Sequence, residues 1–352
     1  MSPPRLPLDA ATKAHRTGDS TIRRLLLGIP LALIALALIV PASPVAGARK
    51  VTLGVTIEHH NRDSATFDRF TDQVDNRPRI WTLWSTWGNQ STRDFPAGPA
   101  SWVAARGAVP MIFWEPFSGF NSCTYADHRR TANGDYDDYI RSWAQAAKRH
   151  GKTVILRWAH EINGAFFPWG IKNQTCADTV TDYKNAWRRI HGIFDQVGAD
   201  NVKFLWTIAK SSCRGGCNPY KDFYPGSAYV DYVGFSNFNW GAYKNKWTSM
   251  VSGISDVMVF FRQFTRKPVI VAENASNTLG GSKPDWIKSG YPAVFNRWPQ
   301  VKAIVYLNVD LRPDHPDWSL DSPGWSASAG RSMSHRAYEK IANQRRFRGR
   351  IP

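Results

Sequence analysis

The sequence predicts an α/β fold, a closed (β/α)8 TIM barrel, on three observations. Eight short runs rich in β-branched and aromatic residues recur from Val51 onward. Amphipathic stretches of helical spacing separate them. Each strand-plus-helix unit takes roughly 37 residues, the allotment that eight βα units need in about 250–300 residues. Strands that alternate with helices pair in parallel, and eight of them suit closure. An open doubly wound sheet is the fallback, but it normally announces a phosphate site, and neither G-x-G-x-x-G nor G-x-x-x-x-G-K occurs.

In order, the strands are expected at VTLGVTI (from Val51), RIWTLWS (Arg79), VPMIFWE (Val109), TVILRWA (Thr153), VKFLWTIA (Val202), YVDYVGFS (Tyr229), PVIVAE (Pro268) and VKAIVYLN (Val301). They are apolar on both faces, as strands lying between a filled barrel and a helical layer must be. YDDYIRSWAQAAKRHG is a helix by its periodicity, and it ends on Lys, Arg and His followed by Gly, as a helix C-terminus should.

Ahead of the first strand, Arg23 and Arg24 precede the apolar run LLLGIPLALIALALIV, followed by PASPVAGA. A basic region, an apolar region and small residues at Ala46 and Ala48 are the layout of a signal peptide cleaved after Ala48; an uncleaved anchor is the alternative. The chain divides accordingly into an unstructured n-region tail at 1–24, a signal peptide or membrane anchor at 25–48, the (β/α)8 domain at 49–345 and a basic C-terminal tail at 346–352. Either fate of the leader puts the domain outside the cytoplasm, secreted or anchored to the cell membrane.

Four cysteines fit an oxidising compartment. Cys213 and Cys217 in CRGGC can close a small loop, with Cys123 and Cys176 pairing across two others; a zinc site is the rival, though the paired C-x-x-C spacing of zinc ribbons is lacking. The net charge is +17, and the leader accounts for little of it, so a basic surface remains. No nucleic-acid motif accompanies it, and no nucleic-acid partner is expected.

Barrel sites sit where the carboxyl ends of the strands converge. The ionisable residues at those ends are Glu58, His59 and His60 after the first strand, Glu115 after the third, His160 and Glu161 after the fourth, Glu273 after the seventh and Asp310 after the eighth. A metalloprotease H-E-x-x-H motif fails because Gly164 stands in place of the second His, and GFSNF around Ser236 lacks the second Gly of a nucleophile elbow. No metal or cofactor is expected.

What remains is the carboxylate pair Glu161 and Glu273, three βα units apart and so nearly opposite across the mouth. Two facing carboxyls suit glycoside hydrolysis, one holding its proton and the other ionised. Sixteen Trp residues support a sugar ligand, since flat aromatic faces pack on pyranose rings. Trp169 and Trp240, in loops, are the candidate platforms; Trp114, beside Glu115, is counted with them, and Trp158 and Trp206 are left to the core. Glu115 either contacts substrate or holds Arg157 in an ion pair.

RWAHEINGAFFPWG (157–170) together with KPVIVAENAS, MIFWEPF and YVGFSNFNW resembles glycoside hydrolase family 26 over most of residues 51–343. The resemblance implies a retaining barrel enzyme acting on a β-linked polysaccharide, most often β-1,4-mannan and in some members β-1,3-xylan or β-glucan. It implies Glu161 as acid/base, Glu273 as nucleophile, His160 beside the reacting sugar and Trp169 near the cleavage point; Asn163 of the same element is counted with the substrate-binding residues. The chain departs from the family pattern at Phe238, where the family usually has a Tyr bonded to the nucleophile, and at Asn274 and Ala275, where small residues such as Thr-Gly often follow it. Phe238, still in the site, cannot donate that bond. A carbohydrate-binding relative with weakened catalysis is therefore one alternative; a hydrolase of β-1,3-xylan or β-glucan is another, and the basic charge adds a hydrolase of an acidic cell-surface glycan. A monomer is expected.

Overall fold

The computed structural model describes residues 49–57, 63–173, 175–210, 219–313, 316–320 and 332–351. Eight parallel strands close into one ring in chain order: β1 (Thr52–Ile57), β2 (Ile80–Thr86), β3 (Val109–Glu115), β4 (Val154–Trp158), β5 (Val202–Ile208), β6 (Tyr232–Asn239), β7 (Val269–Ser276) and β8 (Val301–Asn308). All eight expected strands are present. β6 begins three residues late because Ser227–Tyr229 is a 3-10 turn, and the Asp231 carboxylate accepts from the Phe204 amide at 2.7 Å just before pairing starts.

Helices α1 (Ser64–Val74), α2 (Ala97–Ala105), α3 (His128–Asn133), α4 (Asp137–His150), α5 (Val180–Val197), α6 (Met250–Phe264), α7 (Lys283–Arg297) and α8 (Met333–Ala342) clothe the ring. The helix read from YDDYIRSWAQAAKRHG is α4, and Gly151 closes it in the left-handed region at φ 68°. Between β5 and β6 the described residues hold only two short 3-10 turns where a layer helix was expected.

The strands' period of two sorts side chains into two cores. Ile80, Trp84, Met111, Phe113, Ile155, Leu205 and Ile270 fill the barrel, and a larger cluster lies between sheet and helices. On β7 the alternation is broken. Phe235 pairs with Val271 but Ser236 with Glu273, and on the other side Val271 pairs with Ile304 but Asn274 with Tyr306. One extra residue on β7 therefore resets the phase: Ile270 and Ala272 belong to the inner core, and Glu273 directly after them reaches Arg157 instead of turning outward.

Residues 346–351 are not a tail. Phe347 is buried, Ile351 joins the inner core and Arg348 bridges Thr52 in antiparallel sense. Gly349 donates to the Val51 carbonyl at 3.0 Å, and a Cβ at that position would stand 2.7 Å from the Val51 carbonyl carbon, so only Gly permits the approach. The segment plugs the end of the barrel opposite the strand carboxyl ends.

Cys123 and Cys176 form a disulfide with their Cα atoms 5.4 Å apart, tying the loop after β3 to the loop after β4. Their pairing removes the four-cysteine zinc alternative; Cys213 and Cys217 lie outside the described residues, as do the leader and Glu58, His59 and His60.

Candidate active site

The fourth strand ends in an unusual backbone. Ala159 and Glu161 have φ of 43° and 55°, a region costing a non-Gly residue on the order of 1 kcal/mol or more. Surrounding bonds hold it there. The Asn163 amide donates to the Ala209 carbonyl at 2.9 Å and accepts from its N–H at 2.7 Å, which anchors the turn to the end of β5. Trp169 Nε1 donates to the His160 carbonyl at 2.8 Å, and the Gly164 N–H to that of Glu161 at 2.8 Å. Asn163 and Trp169 thus build the turn. Trp169 is 2% exposed, stacked on Phe167 at 4.4 Å, and offers no open face; it supports the site in place of the platform role expected for it.

Arg157, inside the barrel mouth with no solvent exposure, is the hub. Its Nη1 donates to Glu273 Oε2 at 2.8 Å, Nη2 to the Ser236 hydroxyl at 3.2 Å and Nε to the Thr207 hydroxyl at 3.0 Å, and its guanidinium lies 4.2 Å from the Phe113 ring centre. Ser236 donates to the same Glu273 Oε2 at 2.9 Å. Burial and the Glu273 charge push the Glu161 carboxyl up to about 6, against the opposing pull of Ser236 and Arg157.

Glu115 makes a third carboxyl. It accepts from the Thr86 hydroxyl at 3.1 Å, and burial pushes it up to about 7, with Arg157 opposing and Glu273 assisting. The ion pair with Arg157 weighed from sequence does not form, because that guanidinium is spent on Glu273.

The His160 ring sits edge-on to Phe113, Phe167 and Trp169 at 5.0, 4.6 and 5.2 Å. On the far side, Trp240 is half-buried beneath Lys244, whose ammonium stands 4.0 Å from the ring centre; Phe238 and Trp318 complete that cluster, 5.1 Å apart. Trp114 is not in the site. Strand alternation sends Phe113 and Glu115 inward and Trp114 outward, where it packs 4.7 Å from Trp143 and donates to the Tyr139 hydroxyl at 3.0 Å. Trp158 and Trp206, assigned to the core, are both buried in it.

Sequence reading missed Phe113, Thr86, Thr207, Phe167 and Trp318, and weighed Ser236 only as a nucleophile. Counting back by two from the expected ends of the third and fifth strands, Glu115 and Ala209, would have found Phe113 and Thr207. The role of Ser236 also needed the phase of β7. No group of three or more His, Cys, Asp or Glu placed to hold a metal occurs among the described residues.

A closed ring of eight parallel strands, with acidic side chains drawn from β3, the β4 turn and β7 to its carboxyl end, defines a (β/α)8 barrel with a paired-carboxylate centre. The model of glycosyl hydrolase family 26 matches residues 120–291 of the chain. Endoglucanase H of Acetivibrio thermocellus is 33% identical over 225 residues, covering 62% of this chain and 23% of that protein. The mannan endo-1,4-beta-mannosidase of Bacillus subtilis is 28% identical over 193 residues, covering 52% and 47%. The chain thus spans less than half the length of these curated relatives. The solved structure of Bacillus subtilis mannanase man26 shares the fold at a TM-score of 0.57 and 18% identity, covering 86% of this chain and 87% of that one.

Proposed function

We propose that the chain is an exported, retaining glycoside hydrolase that cleaves a β-linked polysaccharide of the β-1,4-mannan kind. The observation that carries this reading is the gathering of the Glu161 and Glu273 carboxyls at one end of the barrel, near enough that the Glu273 charge raises Glu161. Two facing carboxyls suit double displacement, which needs them roughly 5–5.5 Å apart.

In the first half, Glu161 gives its proton to the departing glycosidic oxygen while a Glu273 oxygen attacks the anomeric carbon. Both bonds to Glu273 fall on Oε2, which leaves Oε1 to attack. In the second half, water gives a proton to Glu161 and its oxygen to the anomeric carbon, and Glu273 leaves as the carboxylate. Arg157 and Ser236 hold the Glu273 carboxyl in place; burial and the Glu273 charge keep a proton on Glu161 up to about pH 6. Export is supported by the leader and by the Cys123–Cys176 disulfide.

Glucan is the second reading, favoured by the relative named as an endoglucanase. Incubation of the protein with mannan, β-1,3-xylan and β-glucan, followed by reducing-end release, decides the sugar. Glu273→Ala should lower the rate by orders of magnitude with folding intact. Binding without release by the wild type, or an undiminished rate in the variant, would end the hydrolase reading.

A further inference from the structure

The end of the barrel where the strands begin is a basic face. Among the described residues, the turns leading into the strands and the segment after α8 carry acidic side chains only at Asp75, Asp200 and Asp231, and basic ones outnumber them. Helices end on this side, and cations near a helix C-terminus offset its dipole, so part of that charge is ordinary. Arg77, Arg79, Arg348 and Arg350 need another reason, because none of them lies in a helix.

The four are gathered around the start of β1. Arg79 donates its backbone N–H to the Leu53 carbonyl at 2.8 Å, and Thr52, next to Leu53, bridges Arg348 in antiparallel sense. A Cβ on Gly107 would stand 3.6 Å from Arg79 Nη1 and 3.7 Å from Arg77 Nη1, so both guanidiniums lie over that one turn. Arg77, Arg79 and Arg348 line a single notch together with Phe70, Tyr338 and Phe347. Burial and the charges of Arg350, Arg77 and Arg348 pull Arg79 below the ordinary arginine range. Their hydrogen bonds go to uncharged acceptors: Arg77 Nη1 to the Arg106 carbonyl at 2.8 Å, Arg79 Nη1 to the Gly107 carbonyl at 3.4 Å and Arg348 Nη2 to Asn343 Oδ1 at 2.8 Å. The nearby Asp68 is taken by Arg106, and no carboxylate among the described residues pairs with any of the four. Like charges gathered without a counter-charge repel one another, and an anion outside the protein relieves that cost.

We propose that this face docks on an anionic lipid surface, with the four arginines against the headgroup phosphates and the Glu161 and Glu273 end of the barrel turned away. The leader favours a lipid over a soluble polyanion. Its apolar run ends at Val40, outside the described residues, and β1 starts at Thr52 on this same face, so at most about 40 Å of chain separates the two. A membrane met by the leader is met next by these arginines. A polysaccharide keeps its access, because the carboxylates lie at the other end.

The test uses the full chain with vesicles of phosphatidylcholine alone and of phosphatidylcholine mixed with phosphatidylglycerol. Each basic residue near an anionic surface contributes about fivefold to partition. Arg77→Gln, Arg348→Gln and Arg350→Gln combined should therefore lose about 100-fold on the anionic vesicles at low salt, and salt of about 0.3 M should erase most of the difference. Lys172→Gln, Lys246→Gln and Lys288→Gln combined, which follow β4, β6 and β7 and remove the same charge, should lose little. The leader is common to both variants, so its own contribution cancels. Backbone hydrogen exchange of the bound wild type reads the contact even where a variant fails to fold. Amides of 76–79 and 346–350 should slow on anionic vesicles and not on neutral ones, with those of 240–246 unchanged on both. Equal losses in the two variants, or no slowing at 76–79 and 346–350, overturn the proposal. Slowing of those amides by polyphosphate but not by anionic vesicles overturns it too, and gives the face to a soluble polyanion.

Discussion

Arg157 donates to Glu273 at 2.8 Å from a position with no solvent exposure, while Glu273 itself is 9% exposed. A buried ion pair is weak ground for stability, because desolvating both charges offsets most of their attraction. This one is compensated by the hydroxyls of Thr207 and Ser236 and by the face of Phe113. The arrangement fixes the Glu273 carboxyl at the mouth of the barrel.

Arg157→Met tests that account. It leaves Glu273 charged in the mouth with only Ser236 to answer it, and should lower stability by about 3–5 kcal/mol in urea unfolding at pH 7. Arg157→Met combined with Glu273→Gln removes the stranded charge and should recover much of the loss. Losses that simply add would show that the two side chains do not act as a pair.

Glu161 and Glu115 are both raised, to about 6 and about 7, and the sign of the pH dependence follows. A carboxyl that holds its proton more tightly folded than unfolded stabilises the fold fully below its ordinary value near 4.5. That contribution is lost as pH rises through the folded values. Glu115→Gln should therefore melt higher than wild type at pH 8 and show no such gain at pH 4, read by thermal unfolding at both. The same ordering puts the alkaline fall in kcat/KM near pH 6, where Glu161 loses the proton it must donate. A profile still rising at pH 8 would remove Glu161 from the acid role.

Trp114 and Trp240 separate packing from binding. Trp114 is wholly buried among Trp87, Trp143 and Phe194, so Trp114→Ala should cost about 3–5 kcal/mol of stability. Trp240 is half-buried at the mouth, and Trp240→Ala should raise KM for the polysaccharide several-fold with a melting temperature close to wild type. The opposite pattern would exchange their roles.

The ring of eight strands was legible because buried parallel strands are apolar on both faces and recur at a fixed interval. The carboxylates at their ends stood out for the opposite reason, as charges where the pattern demanded apolar groups. What sequence did not reveal was which way side chains point once alternation is interrupted. Trp114 and Glu115 are adjacent and face opposite layers, yet both lie at a strand end and look equally placed for a ligand. Glu273 reaches the mouth only because β7 carries an extra residue, and nothing in VIVAENAS marks a bulge. Trp169 looked exposed because it lies in a loop, but that loop folds inward over His160 and is pinned by the Cys123–Cys176 link. Composition misled once more at QRRFRGRIP, whose arginines suggest a solvated tail while Phe347 and Ile351 between them are buried.

A chain ending at Arg345 tests that last reversal. Residues 346–351 run antiparallel to the start of β1, with the Val51 amide donating to the Arg346 carbonyl at 2.8 Å and Gly349 returning a bond to Val51 at 3.0 Å. Beyond the 3-10 turn Arg345–Phe347, alternation exposes Arg348 and Arg350 and buries Gly349 and Ile351. Removing the segment uncovers the lower end of the inner core and deletes the buried Phe347 and Ile351, so the packing of two apolar side chains is lost, each worth about 1.5–3 kcal/mol. The truncated protein should unfold at markedly lower urea, with loss concentrated in stability and little change in KM, because the segment closes the end of the barrel remote from the carboxylates. Unfolding indistinguishable from wild type would make these residues the tail that their charge suggests.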